Sequence, residues 1–369
     1  MKNKFELSSI DMATFLIMSI FGVRILTLPR ILAARMDLGS WVSVLMAGFI
    51  TLILSFMMYW FGIKYPGKNG SEIVLITFGK YIGTLGIFAI SIHILGAAGM
   101  GLRLFGDTLK LYLLPETPFY AIVIIMIGVS FYAFDNGLKS ISTLINILLP
   151  VLVLLISILL LLPITKIDKT NLINPFGLGV MPIIKGTIPA LDAFYGFTIL
   201  TYIMPYFKEP QSVKKWIVVG VGIPIIVYAA IVFLCVLVFG DDEMAWLLYP
   251  TITLIKSIQV EVQLFERVES LLITMWIIIV FMLLVLSFYS SYLNTRALFK
   301  TKAGTLKDRF SRYVQIIVLA AFAFLPKDVI EQQIYREYIQ ILGRVLILGF
   351  IPAIVMITLL KERKKKGEK

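Results

Sequence analysis

Ionisable side chains stand inside stretches that are otherwise apolar, among them Arg24, Arg30, His93, Arg103, Asp107, Lys110, Asp192 and Arg344. Such groups are costly within a membrane span and mark functional sites by default. Two of them flank a repeated pattern. Gly22-Val23-Arg24-Ile25-Leu26-Thr27 returns, at four positions of six, as Gly196-Phe197-Thr198-Ile199-Leu200-Thr201, and a proline follows each copy (Pro29, Pro205). Glycine with a nearby proline weakens a membrane helix midway. Two such weak helices, one in each half of the chain, point to a transporter-like site at which unwound backbone holds a small ligand.

Several kinds of chemistry are open to that site. Arg24 can pair with Asp192 across the midplane. Alternatively, Arg24 can hold a ligand carboxylate while Asp192 meets its amine; or either can turn to a partner elsewhere. Half-helix N-termini carry partial positive charge and freed carbonyls partial negative charge. Together they suit a zwitterion, so an amino acid is the natural ligand, though other small polar solutes fit the same geometry. The backbone from Phe21 through Gly22 and Val23 to Arg24, and that around Gly196 and Thr198, forms the expected cradle. Phe21, Phe194, Tyr195 and Phe197 supply an apolar wall. Ala98, within the small-residue run Gly96 to Gly101, and the hydroxyls of Ser287 and Ser290 complete the candidate set, with helix packing as their alternative role.

The other charged groups read as structural. Arg103 and Asp107 are four residues apart and can satisfy each other on one helix face. Arg344 has no partner near it in sequence. His93 is the only histidine in the chain. It is expected to pack, with proton relay as the alternative, and no metal centre or Ser–His–Asp machine is expected around it. Cys235 is the only cysteine, which excludes an internal disulfide.

The elements that position these residues follow from composition. The chain of 369 residues is 59% apolar and 15% charged, with a mean hydropathy of +0.93. It is expected to be an all-α polytopic membrane protein forming one membrane domain. A span needs about 20 apolar residues, which places helices near 10–34, 39–63, 81–113, 117–134, 138–163, 187–206, 215–239, 268–295, 311–326 and 338–360. The ninth is the weakest. With the N-terminus inside, 21 Lys and Arg fall on the inner side and 8 on the outer, in line with the positive-inside rule. The net charge of +12 is thus topogenic, and no nucleic-acid partner is expected. The first and sixth helices then run in opposite directions, as an inverted five-plus-five repeat requires, with a first repeat of about 10–163 and a second of about 187–360.

The segment 241–267 has helical apolar spacing after Tyr249-Pro250 and reads as an amphipathic lid or an interfacial connector. The basic tail 361–369 reads as a topogenic anchor, or as a contact with anionic lipid. No removable signal peptide is expected.

Certain segments carry a family resemblance along the whole chain. They are Leu7-Ser8-Ser9-Ile10, Leu28-Pro29, Gly39-Ser40-Trp41, Tyr65-Pro66-Gly67-Lys68, Gly79-Lys80-Tyr81-Ile82-Gly83, Tyr249-Pro250-Thr251, and Phe265-Glu266-Arg267-Val268-Glu269 with Trp276. In their order and spacing the chain resembles the B subunits of spore germinant receptors, or spore permeases, of the amino acid–polyamine–organocation superfamily. That resemblance implies the LeuT-type fold with broken helices 1 and 6, and nutrient sensing rather than enzyme activity. It also implies residence in the spore inner membrane, with an A subunit and a lipoprotein C subunit as partners and no cofactor. Two positions depart from the family pattern: Thr198, where relatives often carry a carboxylate, and Arg24, where a small residue is more usual.

Overall fold

The computed structural model of the chain describes residues 6–34, 39–171, 179–257, 268–301 and 304–367. Among them, regular structure is helical, apart from one isolated bridge between Leu7 and Phe207. Helix is what a lipid-embedded backbone demands, because without water every N–H and C=O must find its partner inside the protein. The first rod consists of α1 (Asp11–Ile20) and α2 (Arg24–Ala33). After it come α3 (Ser40–Lys64), α4 (Gly70–Tyr112), α5 (Phe119–Asp135) and α6 (Gly137–Leu161). Next, α7 (Met181–Leu191) passes through a 3-10 segment, Asp192–Ile199, into α8 (Leu200–Ile203). The remainder comprises α9 (Lys214–Trp246), α10 (Pro250–Lys256), α11 (Val268–Phe299), α12 (Leu306–Phe324), α13 (Val329–Val345) and α14 (Ile351–Gly367).

Among the described residues, seven helical runs are long and apolar enough to cross a membrane, and the bent pair α1–α2 makes an eighth. The expected fourth and ninth spans differ for physical reasons. α5 has 17 residues, about 25 Å at 1.5 Å per residue, short of the ~30 Å hydrocarbon core. α12 opens on Lys307, Asp308, Arg309 and Arg312, which lower its hydropathy.

α4 is 43 residues long, too much for one crossing, and Gly79 divides it. Its φ of 76° lies in the left-handed region that glycine enters without Cβ strain. The Lys361 ammonium donates to the carbonyls of Ile76 (3.3 Å) and Thr77 (2.9 Å), just before this kink. The expected tail is therefore the end of α14, which runs to Gly367, and Lys361 caps a second helix.

The first rod is interrupted at Phe21–Val23, where α1 and α2 meet at 56°. Two side chains from elsewhere repair the hydrogen bonding there. The buried Tyr228 hydroxyl accepts from the Gly22 N–H and donates to the Ile20 carbonyl, both at 3.1 Å. Downstream, Pro29 has no N–H for the carbonyl of Ile25, four residues earlier. The Thr251 hydroxyl donates to that carbonyl at 2.7 Å. Thr251 lies on α10, where Ile252, Leu254 and Ile255 are also buried. The described part of the outer connector is thus packed into the protein, while the rest of the expected amphipathic segment, with Val262 and Phe265, lies outside the described residues.

The sixth rod departs from the expected break. It stays helical but tightens to 3-10 winding over Asp192–Ile199, a device that often marks a hinge within a helix. Three contacts run down the pair of rods. The Leu7 N–H donates to the Tyr206 carbonyl at 3.0 Å, the Ser19 hydroxyl donates to the Gly196 carbonyl at 2.9 Å, and Arg24 meets Asp192 at 3.0 Å. One sequence number rises as the other falls, so the rods are antiparallel.

Removing the Thr251 hydroxyl strands a buried carbonyl. Thr251→Val is expected to lower stability by about 1–3 kcal/mol, measured by denaturant unfolding in detergent micelles. Wild-type stability in this variant would remove Thr251 from the repair of the first rod.

Candidate functional site

The bend of the first rod and the 3-10 stretch of the sixth adjoin. A Cβ added to Gly196 would lie 2.6 Å from the Ile20 amide nitrogen and closer still to the Ser19 carbonyl. Only glycine therefore lets the 3-10 segment cross the end of α1 at this distance. Gly22 carries no such restriction, since a Cβ there meets nothing nearer than 3.7 Å.

Just outward of the crossing lies a four-membered charge cluster. The Asp192 side chain is 1% exposed and accepts four hydrogen bonds. Arg24 donates at 3.0 Å. Arg344 donates twice, from Nε at 3.0 Å and from NH2 at 2.7 Å. The Tyr195 hydroxyl donates at 2.7 Å. Arg344 also donates to Glu337 at 3.0 Å. Two guanidiniums and two carboxylates cancel. The magnitudes explain why they gather: an isolated Arg or Asp at the centre of a span costs roughly 2.5–3.5 kcal/mol, and pairing with good geometry recovers much of that.

This cluster separates two cavities. The inner one, about 190 Å³, is lined by Ser19, His93, Tyr195, Gly196, Thr198, Ser287 and Ser290 at the crossing, and by Phe61, Leu346 and Phe350 among other apolar side chains below. Among the described residues, no Asp, Glu, Lys or Arg lines it. The outer one, about 270 Å³, is lined by Arg24, Asp192, Glu337 and Arg344 on its inner wall, and by Thr27, Arg30 and Arg336. Tyr195 faces the inner cavity while its hydroxyl holds Asp192, so a single layer of side chains divides the two spaces.

The candidate residues divide accordingly. Tyr195, Gly196, Thr198, Ser287 and Ser290 come together at the inner cavity, and Arg24 and Asp192 at the outer. Neither cavity is lined by Phe21, Gly22, Val23, Ala98, Phe194 or Phe197. Phe21 and Phe194 pack on the Tyr228 ring at 6.0 and 5.6 Å. They hold in place the hydroxyl that repairs the break, instead of walling a ligand. Phe197 and Ala98 are buried in the packed core, and the neighbouring Ala97 lines the inner cavity. Arg103 bonds Asp107 at 2.8 Å and also donates to the carbonyls of Pro326 and Lys327, so it ties α4 to the start of α13.

Several participants carried little sequence signal. His93 packs edge-on to Tyr195 at 5.3 Å and bonds the Ile339 carbonyl at 2.9 Å. Gly343 on α13 lies flat against both rings, where a Cβ would come within 2.7 Å of Tyr195 and strike His93. Arg344 was visible as an intramembrane charge; its buried partner Asp192 is 152 residues away, and Glu337, seven residues before it, is a nearer partner that the sequence reading missed.

Two predictions come from this geometry. Gly196→Ala is expected to abolish function while Gly22→Ala retains it; equal effects would mean that the close crossing does not set the requirement. Asp192→Asn removes the charge shared by Arg24 and Arg344 and is expected to cost about 3–5 kcal/mol. Arg344→Gln, which leaves the Arg24–Asp192 pair, should cost less when both are compared by chemical unfolding.

Comparison with known proteins agrees with these features. Residues 6–331 match the Spore_permease family, described as spore germination protein. Spore germination protein YndE of Bacillus subtilis (strain 168) is 24% identical over 359 residues, covering 97% of each chain. Spore germination protein B2 of the same organism is 27% identical over 334 residues, covering 89% of this chain and 88% of that protein. Among solved structures, the closed, bromovinylhydantoin-bound form of MHP1, a nucleobase-cation-symport-1 family transporter, superposes with a TM-score of 0.68 at 14% identity, over 93% of this chain and 78% of that one. A substrate-bound Na+-coupled sialic acid symporter gives 0.63 at 11% identity, over 97% and 79%. These neighbours are LeuT-fold transporters, and their likeness establishes the fold. A bent first rod, an antiparallel sixth rod crossing it at a glycine, and a match over residues 6–331 lead to one assignment: this multi-pass membrane protein belongs to the spore germination protein family.

Proposed function

We propose that the chain is the membrane subunit of a nutrient germinant receptor in the spore inner membrane. A small, mainly apolar nutrient, with an aliphatic amino acid as the best candidate, binds in the inner cavity beneath the crossing and triggers germination together with an A subunit and a lipoprotein C subunit. The observation that carries this reading is the composition of that cavity: the hydroxyls of Ser19, Thr198, Ser287 and Ser290 at the crossing, above a floor that is mainly apolar but also carries Ser71, Thr201 and Tyr202, and, among the described residues, no Asp, Glu, Lys or Arg. Its volume of about 190 Å³ falls below the roughly 300–1,000 Å³ of drug-sized pockets. The hydroxyls and the peptide dipoles of the 3-10 segment serve the polar end of the ligand, and the floor takes its side chain.

Signalling follows from one shared bond. The Tyr195 hydroxyl donates to Asp192. A ligand that draws this hydroxyl into the cavity weakens the hold of Asp192 on Arg344, and with it the seat of α13 against the sixth rod. Differential affinity for the two arrangements is all that a population shift needs. The first and second halves of the chain act as opposed repeats in this movement.

A second reading is an amino acid transporter working by alternating access. The pair of cavities on opposite sides of one thin barrier favours it.

Titration calorimetry on the purified chain tests the first reading. Saturable heat with an aliphatic amino acid is expected, and Ser287→Leu, which fills the cavity, should abolish both that heat and germination of spores that rely on this receptor. Binding that survives Ser287→Leu unchanged would place the ligand elsewhere. Accumulation of a radiolabelled amino acid in vesicles holding only this chain would favour transport, and binding without accumulation favours sensing.

A further inference from the structure

Among the described residues, the lining of the outer cavity carries more positive than negative charge. Its lining includes four arginines, Arg24, Arg30, Arg336 and Arg344, against two carboxylates, Asp192 and Glu337. Both carboxylates are engaged: Asp192 by Arg24 and Arg344, and Glu337 by Arg344. Arg30 and Arg336 remain, and among the described residues neither has an ion pair or a hydrogen-bond partner. A third group points the same way. Thr27, only 7% exposed, lines this cavity, and its buried hydroxyl has no hydrogen-bond partner. A helical threonine ordinarily bonds back to the carbonyl a turn earlier, and here it does not.

These three groups have complementary chemistry. Guanidiniums only donate, and their fork matches the two oxygens of a carboxylate or phosphate. A buried hydroxyl left without a partner costs stability unless something occupies it. Two arginines without an ion-pair partner and one unpartnered hydroxyl on residues that share a cavity of about 270 Å³ match the chemistry of a small oxyanion.

We propose that the outer cavity is a second ligand site, separate from the nutrient cavity, which binds a small oxyanion through Arg30, Arg336 and the Thr27 hydroxyl. Because two positive charges are unbalanced, a dianion such as a dicarboxylate or hydrogenphosphate binds more tightly than a monocarboxylate. Once bound, it neutralises Arg30 and Arg336 and so relieves their repulsion of Arg24, whose pair with Asp192 it leaves in place. It thereby stabilises the arrangement in which the barrier is closed. The amino acid reading of the inner cavity is not required for this site to exist.

The test uses the full-length chain purified in a neutral, lipid-free detergent and titrated calorimetrically in low-salt buffer. Sodium succinate and sodium phosphate are used in separate arms, to distinguish a carboxylate from a phosphate ligand, with sodium acetate for the charge preference. Saturable binding of succinate or phosphate is expected, at least ten-fold tighter than that of acetate. Arg336→Gln and Thr27→Val should each weaken it ten-fold or more, while Arg309→Gln, exposed elsewhere on the chain, leaves it unchanged. Arg30→Gln provides an independent variant should Arg336→Gln fail to fold, as judged by its thermal unfolding. The proposal is overturned if neither dianion binds the folded wild type, if only chloride does, or if the folded arginine variants bind as the wild type does.

Discussion

One carboxylate at the centre of the bundle sets the conditions for everything around it. Asp192 is nearly sealed from solvent, yet it accepts from Arg24, from Arg344 and from Tyr195. Each of these charges alone would oppose insertion by a few kcal/mol. Together they form a cross-link between the first rod, the sixth rod and α13. The bond is strong only while all members stay in place, because a buried ion pair that loses one partner becomes a penalty. Such a contact holds the three elements together while it is joined and costs free energy when it is parted.

The backbone faces a parallel constraint. Interrupting a helix inside lipid frees N–H and C=O groups, and irregular backbone survives there only where protein satisfies it. The first rod meets this need with Tyr228 and Thr251, drawn from two other elements. The sixth rod avoids it by tightening to 3-10 winding without opening. The two halves therefore solve the same problem differently, although their hexapeptides match at four positions. The matched glycines also do different work. Gly22 sits at an opened bend with space around it, whereas Gly196 sits where two backbones touch.

Much of this was legible in the sequence. Apolar runs placed most spans within a few residues, because lipid leaves a backbone few alternatives to helix. The glycine–proline pattern located the bent rod, and the charges at 24 and 192 marked the level of the buried charge cluster. Three features were not legible. The aromatic residues around the hexapeptides read as a ligand wall, but Phe21 and Phe194 pack on Tyr228; period and composition cannot tell which face of a wholly apolar helix meets a cavity. Arg344 was visible without its buried partner Asp192, since contacts over 152 residues depend on tertiary packing. Arg336 lies outside every apolar run that the sequence marks, and only its place with Thr27 and Arg30 in the lining of one cavity gives it meaning.

The central claim is that the space beneath the Asp192 cluster, where the two rods cross, receives the nutrient. Cryo-electron microscopy of the purified full-length chain with a saturating amino acid tests it most directly. The account predicts solute density between Tyr195, Ser287 and Ser290, with the Tyr195 hydroxyl turned from Asp192 toward the solute. Density lodged in any other part of the bundle, with the Tyr195–Asp192 bond intact, would contradict it.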